Sequence, residues 1–206
     1  MAQRRETTRG RKTREKILGV AMKLMSQHGY SGTSVDMICN EAEVVKTAIY
    51  WHFGSKSGLM AATIDDISDS WVGVIETQVG GAATPAERLD SLLASLKDIV
   101  TNRSTLLRLN EVVISEAAHL DVEITDAVGR LHRRTIQAIV NGFNASLGFE
   151  LKSGPMLAHT IMSLMHGIHR YVLLYGRDQV DVDAYFDDMR RTVLASVQER
   201  LKRDLK

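Results

Sequence analysis

The chain has 206 residues, 44% hydrophobic and 25% charged, which is enough apolar material for a buried core without metal or disulfide staples. Its formal charge is +1, and its single cysteine, Cys39, excludes an internal disulfide and suits a reducing, cytoplasmic setting. No run approaches a membrane-spanning length, and the basic start is not followed by an apolar segment, so neither a membrane span nor a secretory signal is expected.

Residues 1–12 lack apolar periodicity and carry Arg4, Arg5, Arg9, Arg11 and Lys12, which reads as a flexible basic arm. A helical pattern begins at Thr13, with Ile17, Val20, Ala21, Leu24, Met25 and His28 on one face, and Gly29 stops it. Thr33 or Ser34 offers the cap of a second helix, with Asp36 completing a capping box if Thr33 is the cap. The buried stripe of that helix is Val35, Ile38, Cys39 and Ala42. A break at Glu43-Val44 leads to a third helix from about Val45 to Phe53, with Ala48, Ile49 and Phe53 inward. Gly54-Ser55 breaks the chain again, and Ser55 caps a long helix running to roughly Val79.

Gly80-Gly81-Ala82-Ala83 is the clearest loop, and Thr84-Pro85-Ala86-Glu87 after it combines a cap, a proline at the first helical position and a returning glutamate. That helix should reach about Thr101, with further helices over 104–118, 121–147, 155–175 and 183–203. Only two prolines interrupt the chain, and no strict alternation invites a strand, so an all-α fold of about nine helices is expected.

Charge is distributed unevenly. Residues 1–56 hold ten Lys/Arg against five Asp/Glu, a surplus of +5, and the remainder holds sixteen against twenty, or −4. A basic head on an acidic body fits a nucleic-acid contact at one end. The three short helices form a helix-turn-helix arrangement, in which the last helix enters the major groove. Lys46, Thr47, Tyr50 and Trp51 share one face of that helix, away from Ala48, Ile49 and Phe53. Donors beside aromatic rings suit phosphates, base edges and thymine methyl groups.

Thr13–Ala62 resembles the TetR-family DNA-binding domain. The likeness rests on Ile17-Leu18, Ala21, Gly29-Tyr30, Gly32-Thr33-Ser34-Val35 and Ile38, then on Tyr50-Trp51-His52-Phe53-Gly54-Ser55-Lys56 and Leu59. The resemblance implies that Tyr50 and Lys56 bind phosphates and that residues from Lys46 to His52 read bases. It also implies that Thr33 or Ser34 anchors the second helix to the DNA backbone. Two positions depart from the family pattern, Glu43 where glycine is usual and Val45 where a small capping hydroxyl is usual. Gly58 is a third oddity, in place of an acidic or helix-favouring residue.

By the same resemblance the chain divides into the arm (1–12), a DNA-binding domain (13–56) and a helical effector-binding and dimerisation domain (57–206). The expected function is a transcription regulator, by family default a repressor, released from a palindromic operator in double-stranded DNA by a small-molecule effector. Helices 155–175 and 183–203 are the expected homodimer contact, because 155–175 is apolar over most of its circumference. Trp71, Ile75, Leu96, Asn110, Val113, Phe143, Met162, His166, His169 and Tyr171 are candidate effector contacts, apolar walls with a few polar groups. The same residues would equally furnish a helical core.

His159, His166 and His169 share a helix face, but the further ligands of a metal centre are not evident. Glu116 and His119 match half of a di-iron motif whose second half is missing. No metal and no cofactor is expected. A helical-bundle enzyme, the alternative class, would need convergent catalytic groups, and no nucleophile motif or phosphate loop is present. A DNA-binding protein without an effector is the third reading.

Overall fold

The computed structural model describes residues 8–116 and 121–204. Nine α-helices occur among them: α1 (Thr8–Gly32), α2 (Val35–Ala42), α3 (Lys46–Phe53), α4 (Lys56–Gly81), α5 (Pro85–Asn102), α6 (Ser104–Glu116), α7 (Val122–Leu147), α8 (Gly154–Tyr175) and α9 (Val182–Asp204). A short 3-10 turn, Arg177–Gln179, separates the last two. The all-α expectation holds. Its clearest error is at the start, where residues 8–12 of the expected flexible arm form the beginning of α1. Local bonds explain the extension: the Thr13 hydroxyl donates to the Arg9 carbonyl at 3.0 Å, and Arg11 pairs with Glu15 one turn on. Residues 1–7 and His119 lie outside the described residues.

The chain forms two compact units. The first contains the described residues through Ile67 together with Arg108–Leu131. Its core joins Ile17, Leu18, Ala21, Leu24 and Met25 of α1 to Ile38, Cys39 and Ala42 of α2, Ile49 of α3 and Leu59 and Met60 of α4. Against the sequence pattern, Val20 is half-buried and His28 exposed, while Leu18 takes a core place. Arg130 of α7 forks onto Asp65 of α4 through bonds of 3.1 and 2.8 Å, and this bidentate pairing raises the guanidinium pKa.

The second unit contains Ser68–Leu107 and residues from His132 onward. Leu92, Leu96 and Ile99 of α5, Phe143 of α7, Ile161 and Met165 of α8 and Phe186, Met189 and Val193 of α9 are buried in it. The start of α5 is built as its sequence announced. The Thr84 side chain accepts from the Glu87 amide at 3.3 Å, and the Glu87 carboxylate accepts from the Thr84 and Ala83 amides, each at 3.0 Å. Those backbone donors hold the Glu87 carboxyl below its ordinary pKa.

A pH dependence follows from this depression. Because the folded value lies below the unfolded one, the contribution is complete above the unfolded carboxylate range and is lost as pH falls through the folded value. Thermal melts of Glu87→Gln should therefore lie below those of the parent near neutrality, with the gap closing as pH drops from about 6 to about 3. Thr84→Ala should cost about 1 kcal/mol.

Candidate nucleic-acid interface

α2 is capped by Ser34, whose side chain accepts from the Met37 amide at 3.1 Å. Ser34, not Thr33, is the cap. Thr33 is fully buried and donates its hydroxyl to the Gly29 carbonyl at 2.8 Å, which removes it from any surface contact of the kind expected for it. Gly29 explains this arrangement: it leaves helical geometry (φ 78°, ψ 168°) inside α1, freeing carbonyl and amide groups that must find new partners.

The amides find Glu116, at the far end of α6. Its Oε1 accepts from the Tyr30 amide at 3.1 Å, and its Oε2 accepts from the Ser31 amide at 3.0 Å and the Ser31 hydroxyl at 2.6 Å. Sequence reasoning missed this contact, having considered Glu116 only beside His119. The pairing spans 86 positions, and no local pattern announces it.

The turn between α2 and α3 carries Glu43 in the left-handed conformation (φ 51°, ψ 47°), the geometry that explains why glycine suits this position. Its charge is not directed at the third helix. The carboxylate pairs with Lys16 of α1 at 2.9 Å, and the Lys16 ammonium holds its pKa below the ordinary range. The second departure has its expected consequence, since Val45 caps α3 with no side-chain hydrogen bond. The Ala48 amide donates to the Val45 carbonyl at 2.9 Å.

On α3 the inward anchor is Ile49, fully buried, with Ala48 and Phe53 half-buried. Lys46, Thr47, Tyr50 and Trp51 are all exposed, Tyr50 by 50% and Trp51 by 66%. Two large rings in water, beside a lysine and a threonine, form a polar-aromatic face on a helix that its opposite side holds fast. His52 is half-buried, its ring edge-on to Trp51 with centroids 4.5 Å apart.

The two cations of the site are already engaged. Lys46 Nζ sits 2.7 Å from Asp36 Oδ1 across the α2–α3 turn, and that carboxylate raises the ammonium pKa. Lys56, half-buried at the start of α4, lies over the Tyr30 ring at 4.2 Å from its centroid. Burial pulls its pKa down, while Glu116 opposes that shift. On the first turns of α1, Arg9, Lys12 and Lys16 line a shallow hollow with Thr8 and Thr13.

Gly58 is explained by space. A Cβ there would lie 2.1 Å from the Phe53 carbonyl oxygen, and its amide donates to Ser55 Oγ at 2.8 Å. Close approach of backbone to backbone accounts for the glycine, so a Gly58→Ala variant would test packing.

The candidate effector residues divide. Trp71, Ile75, Leu96, Phe143, Met162 and His169 are buried in the second unit, and His166 is half-buried there. Tyr171 is apart from them, 49% exposed on the outer face of α8 and stacked with Tyr175 and Tyr185 at 5.7 and 6.3 Å. Asn110 and Val113 belong to the first unit, and their side chains lie outside the described residues.

An exposed third helix fixed by a tight turn to the second defines a helix-turn-helix protein. Residues 17–63 match the family described as bacterial regulatory proteins, tetR family. Over 75 residues the chain is 41% identical to the HTH-type transcriptional regulator AcrR of Shigella flexneri, covering 36% of this chain and 34% of that protein. The first curated relatives are spanned over 33% to 50% of their own length. A solved TetR transcriptional regulator from Legionella pneumophila shares the fold over 95% of this chain and 99% of its own, with a TM-score of 0.71 and 21% identity. A solved transcriptional regulator from Saccharomonospora viridis, in complex with choline, aligns over 91% of this chain and 96% of its own, with a TM-score of 0.70 and 20% identity. The likeness to the tetR family thus lies in residues 17–63, and over the rest of the chain the solved regulators share the fold.

Proposed function

We propose that the chain is a sequence-specific DNA-binding transcription regulator, a repressor that acts as a homodimer on a palindromic operator and is released by a small molecule. The observation that carries this reading is the face of α3, where Lys46, Thr47, Tyr50 and Trp51 stand exposed around a buried Ile49. In this reading α3 enters the major groove, where Lys46, Thr47, Trp51 and His52 meet bases and Tyr50 meets phosphate. Ser34 and the first turns of α1 add phosphate contacts. Lys56 gains from a phosphate what its half-buried position withholds, a full counter-charge.

The effector belongs to the second unit. Ser68 Oγ and Trp71 Nε1 are buried there with no hydrogen-bond partner among the described residues. Buried donors without partners cost stability, and a ligand acceptor would offset that cost. The choline bound to the Saccharomonospora viridis neighbour is a precedent for small-molecule binding on this fold. Release then follows from linkage: an effector that prefers one conformation of the dimer weakens DNA binding by the ratio of its affinities for the two.

The second copy belongs on α8 and α9. One face of α8 is buried through Leu157, Ile161, Met165 and Ile168, while Met156, Leu164, Tyr171, Leu174 and Tyr175 are exposed. A partner covering them would account for a helix apolar on both sides. The proposed setting is the cytoplasm; among the described residues no helix is long and apolar enough to cross a membrane.

Selection of bound duplexes from a random DNA pool, followed by salt titration of the winner, tests the proposal. The expected result is a palindromic consensus whose affinity falls steeply with salt and drops at least about tenfold in Tyr50→Ala and in Lys56→Ala. No enrichment over input, with and without candidate effectors, would overturn it. Enrichment that no effector releases would leave a DNA-binding protein without a ligand.

A further inference from the structure

In the second unit, two histidines far apart in sequence meet on neighbouring helices. His132 Nε2 of α7 lies 3.4 Å from His159 Nδ1 of α8, with ring centroids 5.2 Å apart and an interplanar angle of 33°. The histidine row noticed on the sequence, at 159, 166 and 169, does not include this pairing.

A separation of 3.4 Å is long for a hydrogen bond between ring nitrogens, which favours about 2.9–3.0 Å. It also matches the bite of a chelate. Two nitrogens each bonded at about 2.0–2.1 Å to a tetrahedral cation stand about 3.3–3.4 Å apart. We propose that His132 and His159 form a two-histidine clamp for a divalent transition-metal cation of the zinc and nickel class, with water completing the coordination.

Chemistry supports the assignment. Metal binding requires neutral imidazole, so occupancy of the clamp should fall as pH drops. Each ring coordinates through the nitrogen facing its neighbour and keeps its proton on the other. Among the described residues no group of three His, Cys, Asp or Glu side chains gathers around a common point. With two protein ligands the proposed clamp leaves the remaining positions to water, unlike a closed structural zinc centre. Imidazole ligands select this metal class over magnesium and calcium, which favour oxygen. Because the two ligands sit on different helices, an occupied clamp ties α7 to α8.

The test is calorimetric titration of the full chain with Zn2+, repeated with Ni2+, on the parent and on His132→Gln and His159→Gln. Both side chains are exposed, so neither variant should lose its fold, and circular dichroism checks this. The expected result is one cation per chain, bound at least about tenfold more tightly than by either variant, since each variant loses the chelate. The melting temperature of the parent should rise with Zn2+ and return on adding a chelator, with neither variant responding. Equal binding by all three proteins would overturn the assignment. So would a difference in melting temperature among them that ignores metal, which is the behaviour of a merely hydrogen-bonded pair.

Discussion

Gly29→Ala should cost the first unit about 2–3 kcal/mol, seen as an earlier urea transition and a loss of hydrogen-exchange protection at Tyr30 and Ser31. Two effects combine. At φ 78° and ψ 168° the backbone occupies a region reserved almost entirely for glycine, so any side chain there is strained. A Cβ would also lie 2.6 Å from Glu116 Oε1 and displace the carboxylate that accepts from both amides. Glu116→Gln isolates the second effect. It keeps the shape but turns one acceptor into a donor facing an N–H, and should cost about 1 kcal/mol, since most of these bonds are exposed to water. Should Gly29→Ala and Glu116→Gln both melt with the parent, the Glu116 bonds to Tyr30 and Ser31 contribute nothing to stability.

Leu164→Glu should convert the protein from dimer to monomer in sedimentation at micromolar concentration, with helical content unchanged. Leu164 lines a groove of about 270 Å³ between α8 and α9, with Gly167, Ile168, Tyr171, Tyr185 and Met189 along it. In a single chain Leu164 is 40% exposed, so a glutamate there is hydrated and harmless. Against a second copy the same carboxylate would be stripped of water without a partner, a cost of several kcal/mol. Binding to a palindromic duplex should weaken by about 100-fold or more, because a monomer engages one half-site. A parent already monomeric at that concentration, or a variant still dimeric, would move the interface elsewhere.

What the sequence made legible was whatever its local chemistry dictates. The capping box at Thr84 and Glu87, the break at Gly54-Ser55 and the division of α3 into Ile49 inside and Tyr50 and Trp51 outside all follow from residues within one or two turns of one another. Contacts between distant segments were hidden. Glu116 on Tyr30 and Ser31, Lys56 over Tyr30, and His132 beside His159 have no periodicity to betray them. Thr33 was misjudged for a related reason: a hydroxyl before a helix has two uses, capping forward or bonding backward. Which one applies depends on the kink at Gly29. The candidate effector residues were only half separable from core because burial and pocket lining demand the same apolar types. Tyr171 was the misfit, an aromatic directed outward on a helix with two apolar sides.

The ion pair between Lys46 and Asp36 has a consequence for how such a protein would search DNA. A lysine held 2.7 Å from its own carboxylate offers little net charge to a passing phosphate. Loose, sequence-blind encounters would then draw on the outlying cations of α1, while Lys46 stays occupied. Only a target that supplies a better acceptor, such as a guanine edge, would draw it across, leaving Asp36 to water. Discrimination would thereby be separated from stickiness: removing Asp36 should strengthen binding to random DNA more than to the chosen site, and so blur the distinction between them.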